Sequence, residues 1–233
     1  MNLANDSNNS NLDLKIGFQT LINNNSKLEA FNNAFFEFNA NNVENHSNIQ
    51  FIGTRNIDRN INATLWDNIT LTDKENFVID ALKIIEPSLQ KIAFVEESKN
   101  ERKAVIKLSE SSKILPIGSM GDGINRILTI ILALVNAENG YLLIDEFENG
   151  LHFSVQEKLW KIIYDLSSKL NVQVFSTTHS EDCIRGFQEI ANEKSTDFVG
   201  KLIRLDKIED KITQVEFSLE ELKIAENQNI ELR

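Results

Sequence analysis

The spacing of apolar and polar positions changes along this chain, and the change divides it. Near the N-terminus Leu12, Leu14, Ile16 and Phe18 alternate with polar residues, the period-2 pattern of a half-buried strand. Residues 23–27 (NNNSK) predict a turn, 34–38 another strand, and 48–53 a short strand closed by a glycine. Over 56–71 the pattern is ambiguous, with Leu65, Trp66 and Ile69 able to share one helical face. Thr72 and Glu75 form a capping-box pair. Phe77, Val78, Ala81, Leu82 and Ile85 follow at helical spacing, and Pro87 ends that helix. Residues 91–95 and 103–108 predict two strands of a hairpin around the charged turn 96–102.

From residue 114 the pattern is more regular. A strand at 114–117 leads into a glycine-rich turn at 118–123. Ile124, Ile127, Leu128, Ile131, Leu132 and Val135 then make the apolar stripe of a helix. A strand at 141–145 precedes a helix marked by Val155, Leu159, Ile162, Ile163 and Leu166. A strand at 172–175, a helix over about 181–192, strands at 202–205 and 212–217, and a helix capped by Ser218 and Glu221 complete the chain. Strands alternating with helices predict an α/β fold, a parallel sheet flanked by helices. The expected division is a disordered tail over 1–11, a β-rich and helical insertion-like lobe over 12–110, and an α/β core half over 111–233. No internal repeat or Pro/Gly-rich linker is evident.

Chemistry concentrates in three places. The strand Tyr141, Leu142, Leu143, Ile144 runs into Asp145 and Glu146. Carboxylates at the C-terminal end of a buried parallel strand lie where open α/β sheets bind ligands, and two adjacent acids suit a metal and a water. The plain alternative is a buried strand ending in a solvated acidic turn. Gly118-Ser119-Met120-Gly121-Asp122-Gly123 opens a helix, where a hydroxyl and backbone N–H groups can make an anion site; it also reads as a simple glycine-rich connection. His179 follows a buried strand in VFSTTHS, as a reactive imidazole or a capping residue. His46, in an Asn-rich loop, is assigned nothing.

Together these residues resemble the motifs of an ABC-like AAA ATPase, and the segment ENGLH is similar to the D-loop region of the ATPases found in OLD-family nucleases and related bacterial defence proteins. The run LLIDE resembles a Walker B motif, and the resemblance implies that Asp145 serves Mg²⁺ and that Glu146 orients or deprotonates the attacking water. Glu148, Asn149, Gly150 and His152 resemble a D-loop at a dimer interface; His152 also reads as a helix-entry residue. Ser119, Gly121 and Gly123 resemble the LSGGQ-like signature that ABC and SMC ATPases present to nucleotide. The match departs from the family: Gly118 stands where Leu is usual, Met120 replaces the first Gly, and Asp122 replaces Gln or Glu. His179 occupies the switch-histidine position. The implied fold is a partial P-loop NTPase of ABC/SMC-like type. The implied cofactors are ATP and Mg²⁺, and the implied partners are the subunits of a homo- or hetero-dimer, with an unknown effector.

None of the nine glycines fits a Walker A, G-x-x-x-x-G-K-[S/T]. Gly200-Lys201 is followed by Leu202, and Ser195 occupies the upstream glycine position. Where the family has a glutamine after the strand at 48–53, this chain has Arg55 nearby and no Gln after Gly53. The chain is therefore expected to be the C-terminal portion of a longer ATPase, needing a Walker A segment from elsewhere and inactive alone. In the related fold, the Walker A strand lies between the strands expected at 172–175 and 202–205. The alternative from a different class is a non-catalytic, truncated or degenerate interaction module. A nuclease reading, from OLD-family relatives with a Toprim domain, would need more chain after His179.

Composition narrows the partners. Net charge is −11, and no Lys/Arg cluster interleaved with aromatics is present, so this segment does not support nucleic-acid binding by bulk electrostatics. No apolar run approaches the roughly 20 residues that span a bilayer, and the first residues lack a signal-peptide pattern. The single cysteine, Cys183, excludes an internal disulfide, fits a reducing cytoplasm and reads as a structural thiol.

Overall fold

A computed structural model of the chain describes residues 16–22, 25–31, 48–54, 59–99, 101–109, 113–194, 199–208, 211–228 and 230–232. The expected tail at 1–11, the strand at 34–38, His46 and Arg55 lie outside these residues. The chain falls into two compact units, 1–46 and 47–233. In the first, β1 (Ile16–Ile22) and β2 (Asn25–Phe31) pair antiparallel from Ile16↔Phe31 to Ile22↔Asn25. β2 begins at Asn25, inside the turn expected over 23–27.

The second unit holds a three-stranded parallel sheet, ordered β3 (Ile49–Ile52), β7 (Tyr141–Ile144), β8 (Gln173–Ser176). The parallel sheet expected from the strand–helix alternation is thus present. The chain passes from β7 to β8 through α4 (Phe153–Leu170), and α3 (Asp122–Asn136) precedes β7 and packs on β3 and β7. Alternate positions of β7, Leu142 and Ile144, are buried, as period-2 geometry requires. In α3 the run 127–135 is apolar on nearly every side. All its aliphatic residues are buried, because α1 (Arg59–Asp67), α2 (Lys74–Ile85) and α4 crowd it in addition to the sheet.

The other sheet face is partly open. Ile49, Tyr141 and Gln173 are in register, as are Phe51, Leu143 and Phe175. Ile49, Phe51 and Phe175 are 37%, 53% and 38% exposed, whereas parallel sheets normally bury both faces. The outer edge of β8 pairs with no described strand.

A second sheet, β4 (Leu89–Ser98), β5 (Glu101–Leu108) and β6 (Ile114–Pro116), is antiparallel throughout. The expected hairpin is there. The strand at 114–117, read as the first of the α/β alternation, pairs instead with β5 and stops at Pro116, where a single 3₁₀ turn, Ile117–Met120, begins. Leu89, Ile92, Ala104 and Ile106 share one core with residues of α3, α4 and β7.

Downstream, α5 (Glu181–Lys194) packs on α4. The hairpin of β9 (Leu202–Ile208) and β10 (Lys211–Phe217) is a separate two-stranded sheet, and α6 (Leu219–Gln228) joins α5 in a small core of Ile184, Leu222, Ala225 and Leu232. The capping box at Ser218 forms as read: Ser218 N–H donates to Glu221 Oε2 at 2.7 Å, and Glu221 N–H donates to Ser218 Oγ at 3.2 Å. The one at Thr72 shifts by a residue. Leu71 turns to φ +63, so its N–H, at 2.5 Å, takes the Glu75 carboxylate.

Candidate functional site

The strands β7 and β8 end side by side, and the segments beyond their ends are stitched together. Thr177 is the centre of that stitching. Its hydroxyl donates to Asp145 Oδ1 at 2.8 Å and accepts from the N–H of Glu146 at 2.9 Å. Its own N–H extends the parallel ladder to the Ile144 carbonyl at 3.0 Å, and its carbonyl accepts from Phe147 N–H at 2.9 Å. One threonine thus fixes both acids that close β7. Glu146 is held at φ +47, a left-handed conformation that costs a non-glycine residue about 1–3 kcal/mol and persists only where its surroundings enforce it. Phe147, fully buried, supplies part of that enforcement by stacking on Trp160 of α4 with ring centroids 4.3 Å apart.

The next residues turn tightly. Asn149 N–H donates to Glu146 and Leu151 N–H to Glu148, and Gly150 lies at φ +72. Glu148 and Asn149, expected at a dimer interface, use their side chains within the chain. The Glu148 carboxylate accepts from Thr178 Oγ1 at 2.6 Å and from the N–H of His179 at 2.8 Å, while Asn149 Nδ2 donates to the Thr54 carbonyl at 2.9 Å. His152 is the N-cap of α4: its Nδ1 accepts from Ser154 N–H at 3.3 Å. His179 has an exposed side chain, and its backbone is held by Glu148. Asp145, Glu146, Glu148 and His179 therefore belong to one bonded cluster at the C-terminal ends of two adjacent parallel strands, where such sheets carry their ligands.

The glycine-rich loop reaches this cluster from a third side. Ser119 is exposed, and its hydroxyl donates to the Pro116 carbonyl at 2.7 Å. Gly121 adopts φ +104, ψ 156, a region open essentially to glycine alone; this sharp bend ends the 3₁₀ turn and starts α3. Gly123 is required for a different reason. A Cβ there would lie 2.9 Å from the Gly150 carbonyl oxygen, so only glycine lets the first turn of α3 approach the loop after Glu146.

Sequence reasoning missed two participants. Thr177 was hidden inside a Ser/Thr run valued only as a neighbour of His179. Arg126 was passed over in the apolar stripe of α3. It is 7% exposed, and its guanidinium donates to the carbonyls of Gly53 at 2.8 Å, Asp145 at 2.9 Å and Glu146 at 3.1 Å. Loss of water lowers its pKa; the negative charges of Asp145, Glu146 and Glu148 oppose that shift. A lone charged residue in an otherwise apolar helical run was the available signal, since such a residue is buried only when paired. Arg126 also lines the wall of an open cleft of about 480 Å³ that is bounded by Thr54, Asn62, Asn125 and Asn149. Cys183 is buried, and desolvation lifts its thiol to about 11, so the structural reading of this residue fits its surroundings.

Among the described residues no group of three or more His, Cys, Asp and Glu side chains is placed to hold a metal ion, and no helix is long and apolar enough to cross a membrane.

The family described as the AAA ATPase domain matches residues 2–184. Among curated proteins, a stretch of 116 residues is 33% identical to an ATP/GTP phosphatase of Helicobacter pylori, covering 48% of this chain and 30% of that protein. A stretch of 115 residues is 33% identical to an uncharacterised protein of Methanocaldococcus jannaschii, covering 49% of this chain and 99% of the relative. The chain thus spans under a third of the first relative's length. Among solved structures, the chain is similar to an SMC ATPase described for ATP-driven dimerization and DNA-stimulated activation, at 13% identity and a TM-score of 0.49, over 72% of this chain and 97% of that one. It is also similar to the SMC head domain from Thermotoga maritima, at 10% identity and a TM-score of 0.45, over 83% of this chain and 64% of that one.

Proposed function

We propose, from the premise that the chain belongs to the AAA ATPase domain family, that it supplies the water-activating and switch half of a nucleoside triphosphatase. The observation that carries this reading is the Thr177 hydroxyl joining Asp145 and Glu146 to the strand end that bears His179. In such an arrangement water attacks the γ-phosphate and the barrier falls through positioning and electrostatics. Glu146, whose N–H and carbonyl are both hydrogen-bonded, orients the water and takes up its proton. His179 lies on the loop beside it and donates toward the γ-phosphate oxygens. Asp145 is the magnesium carboxylate. Its Oδ1 is already oriented by Thr177, and a single protein carboxylate is enough where phosphates and waters supply the other oxygens, the usual manner of binding this ion. Bound there, magnesium would neutralise charge on the β- and γ-phosphates.

Ser119 and Gly121 lie at the bend before α3, whose N-terminus favours anions, and we assign them to the phosphates of a nucleotide presented by a second subunit. The Ser119 hydroxyl can rotate away from Pro116 to do so. The 233 residues contain no G-x-x-x-x-G-K-[S/T], so the P-loop comes from another segment or a partner. The outer edge of β8, which pairs with no described strand, fits an added strand. The assembly is then a homo- or hetero-dimer of ATPase subunits acting on an effector.

The test is hydrolysis of ATP and GTP by the chain alone and by the chain joined to a P-loop-bearing segment. The expected result is weak binding and no turnover for the first, and turnover for the second that Glu146→Gln abolishes without loss of nucleotide binding. Tight magnesium-dependent ATP binding by the chain alone overturns the need for a second segment, and turnover that survives Glu146→Gln overturns the role of Glu146. If no combination hydrolyses nucleotide, the chain is an interaction module.

A further inference from the structure

Arg126 is the one charged side chain among the buried described residues, and no step above uses it. It sits in the first turns of α3, just past Gly121 and Gly123. Its Nη1 reaches the Gly53 carbonyl after β3, at 2.8 Å, and its Nη2 reaches Asp145 and Glu146 carbonyls after β7, at 2.9 and 3.1 Å. Its third nitrogen, Nε, is buried without a protein partner. Burying a guanidinium is strongly unfavourable unless its hydrogens are taken up, and an apolar side chain of similar volume would avoid that loss. What an apolar side chain cannot do is bridge two strand ends. The planar fork of arginine spans them; the point charge of lysine does not.

The second acceptor locates the consequence. Glu146 lies at φ +47, and its peptide flanks are gripped from opposite sides: Thr177 takes its N–H and Arg126 its carbonyl. Thr177 belongs to the switch loop and Arg126 to the helix that follows the glycine-rich bend. A Cβ at Gly123 would lie 2.9 Å from the Gly150 carbonyl oxygen, so the first turn of that helix packs closely on the same turn.

We infer that Arg126 is a positioning residue that ties α3, and with it the Ser119–Gly121 bend, to the backbone of Asp145 and Glu146, so that the placement of Glu146 depends on the position of the glycine-rich loop. This rests on the reading of Glu146 as the water-orienting carboxylate. A ligand engaged at the loop would then act on the hydrolytic group through the helix, without touching it.

The experiment uses Arg126→Lys and Arg126→Ala in the assembly that turns over nucleotide. Expected are a fall in kcat of about tenfold or more, equivalent to at least about 1.4 kcal/mol of barrier, with KM changed less than about threefold. Millimolar guanidinium ion restores part of the rate to Arg126→Ala and none to Arg126→Lys. Amide exchange over 145–147 accelerates in both variants while the α4 core keeps wild-type protection. A purely structural residue would give neither guanidinium rescue nor a kcat-only effect. Wild-type kcat in both variants, or a loss that tracks the folded fraction without rescue, overturns the inference. Where Arg126→Ala does not fold, Arg126→Lys decides on kcat and exchange. If the wild-type assembly hydrolyses nothing, the ATPase reading fails; the positioning role is then judged on exchange alone, and unchanged exchange over 145–147 overturns it.

Discussion

Replacing Thr177 with valine keeps the shape of the side chain and removes the hydroxyl that serves both acids. Two hydrogen bonds go: the 2.8 Å bond to the Asp145 carboxylate and the 2.9 Å bond from Glu146 N–H. A hydrogen bond to a charged group contributes about 1.5–3 kcal/mol and a neutral one about 0.5–1.5 kcal/mol. Thr177 is exposed, so water replaces part of each, and a net loss of about 1–2 kcal/mol is the working figure. For a chain of this size that lowers Tm by roughly 2–4 °C per kcal/mol. If Glu146 is the group that orients water, the same loss appears in turnover as roughly a tenfold fall in kcat, with KM nearly unchanged. The assay is steady-state hydrolysis by the P-loop-complete assembly, with thermal melts of the same preparations. Thr177→Ser, which keeps the hydroxyl, is the control and should stay within about twofold of wild type. If serine is as impaired as valine, the hydroxyl is not what matters; if valine turns over at the wild-type rate, the bridging bonds do not position the acids.

Two further outcomes rest on the same geometry. Gly123→Ala puts a Cβ against the Gly150 carbonyl, where the separation would be 2.9 Å; the helix or the loop must move, and denaturant unfolding should show a loss of about 1–3 kcal/mol, whereas an unchanged midpoint would mean the contact is soft. Cys183, with its folded pKa raised to about 11, should resist iodoacetamide at pH 8 in the native state and react on unfolding. Because burial favours its neutral thiol, the contribution to stability is complete below the unfolded pKa near 9 and is lost as pH rises through about 11; a Cys183→Ser variant should lack that alkaline loss.

How much of this was legible in the sequence depends on range. The β3, β7 and β8 strands and the stripe of α3 are written in local runs of apolar residues, and the Ser218–Glu221 cap is complete within four residues of chain, so each could be read. The strand at 114–117 was visible but its partner was not: so short a run has no sign of whether it will pair parallel or antiparallel, and it pairs antiparallel with β5. The acids and His179 could be named because each ends a readable strand. Arg126 could not be assigned, since its three acceptors are main-chain carbonyls that every residue possesses, and their convergence exists only after β3, β7 and α3 have met. Thr177 failed for a related reason. Its neighbours Ser176 and Thr178 offer the same hydroxyl, and the alternating direction of the strand end selects which of them faces Asp145.

The outer edge of β8, which pairs with no described strand, has a meaning for biosynthesis. A parallel strand whose outer edge pairs with no described strand is a template on which an extended chain can add, and an acidic net charge of −11 offers only general repulsion against it. A polypeptide with such an edge is safest when the complementary strand is present as it folds. Expressed apart from that strand, the chain should accumulate in inclusion bodies or with chaperones, and co-expression with the matching segment should shift it to the soluble fraction.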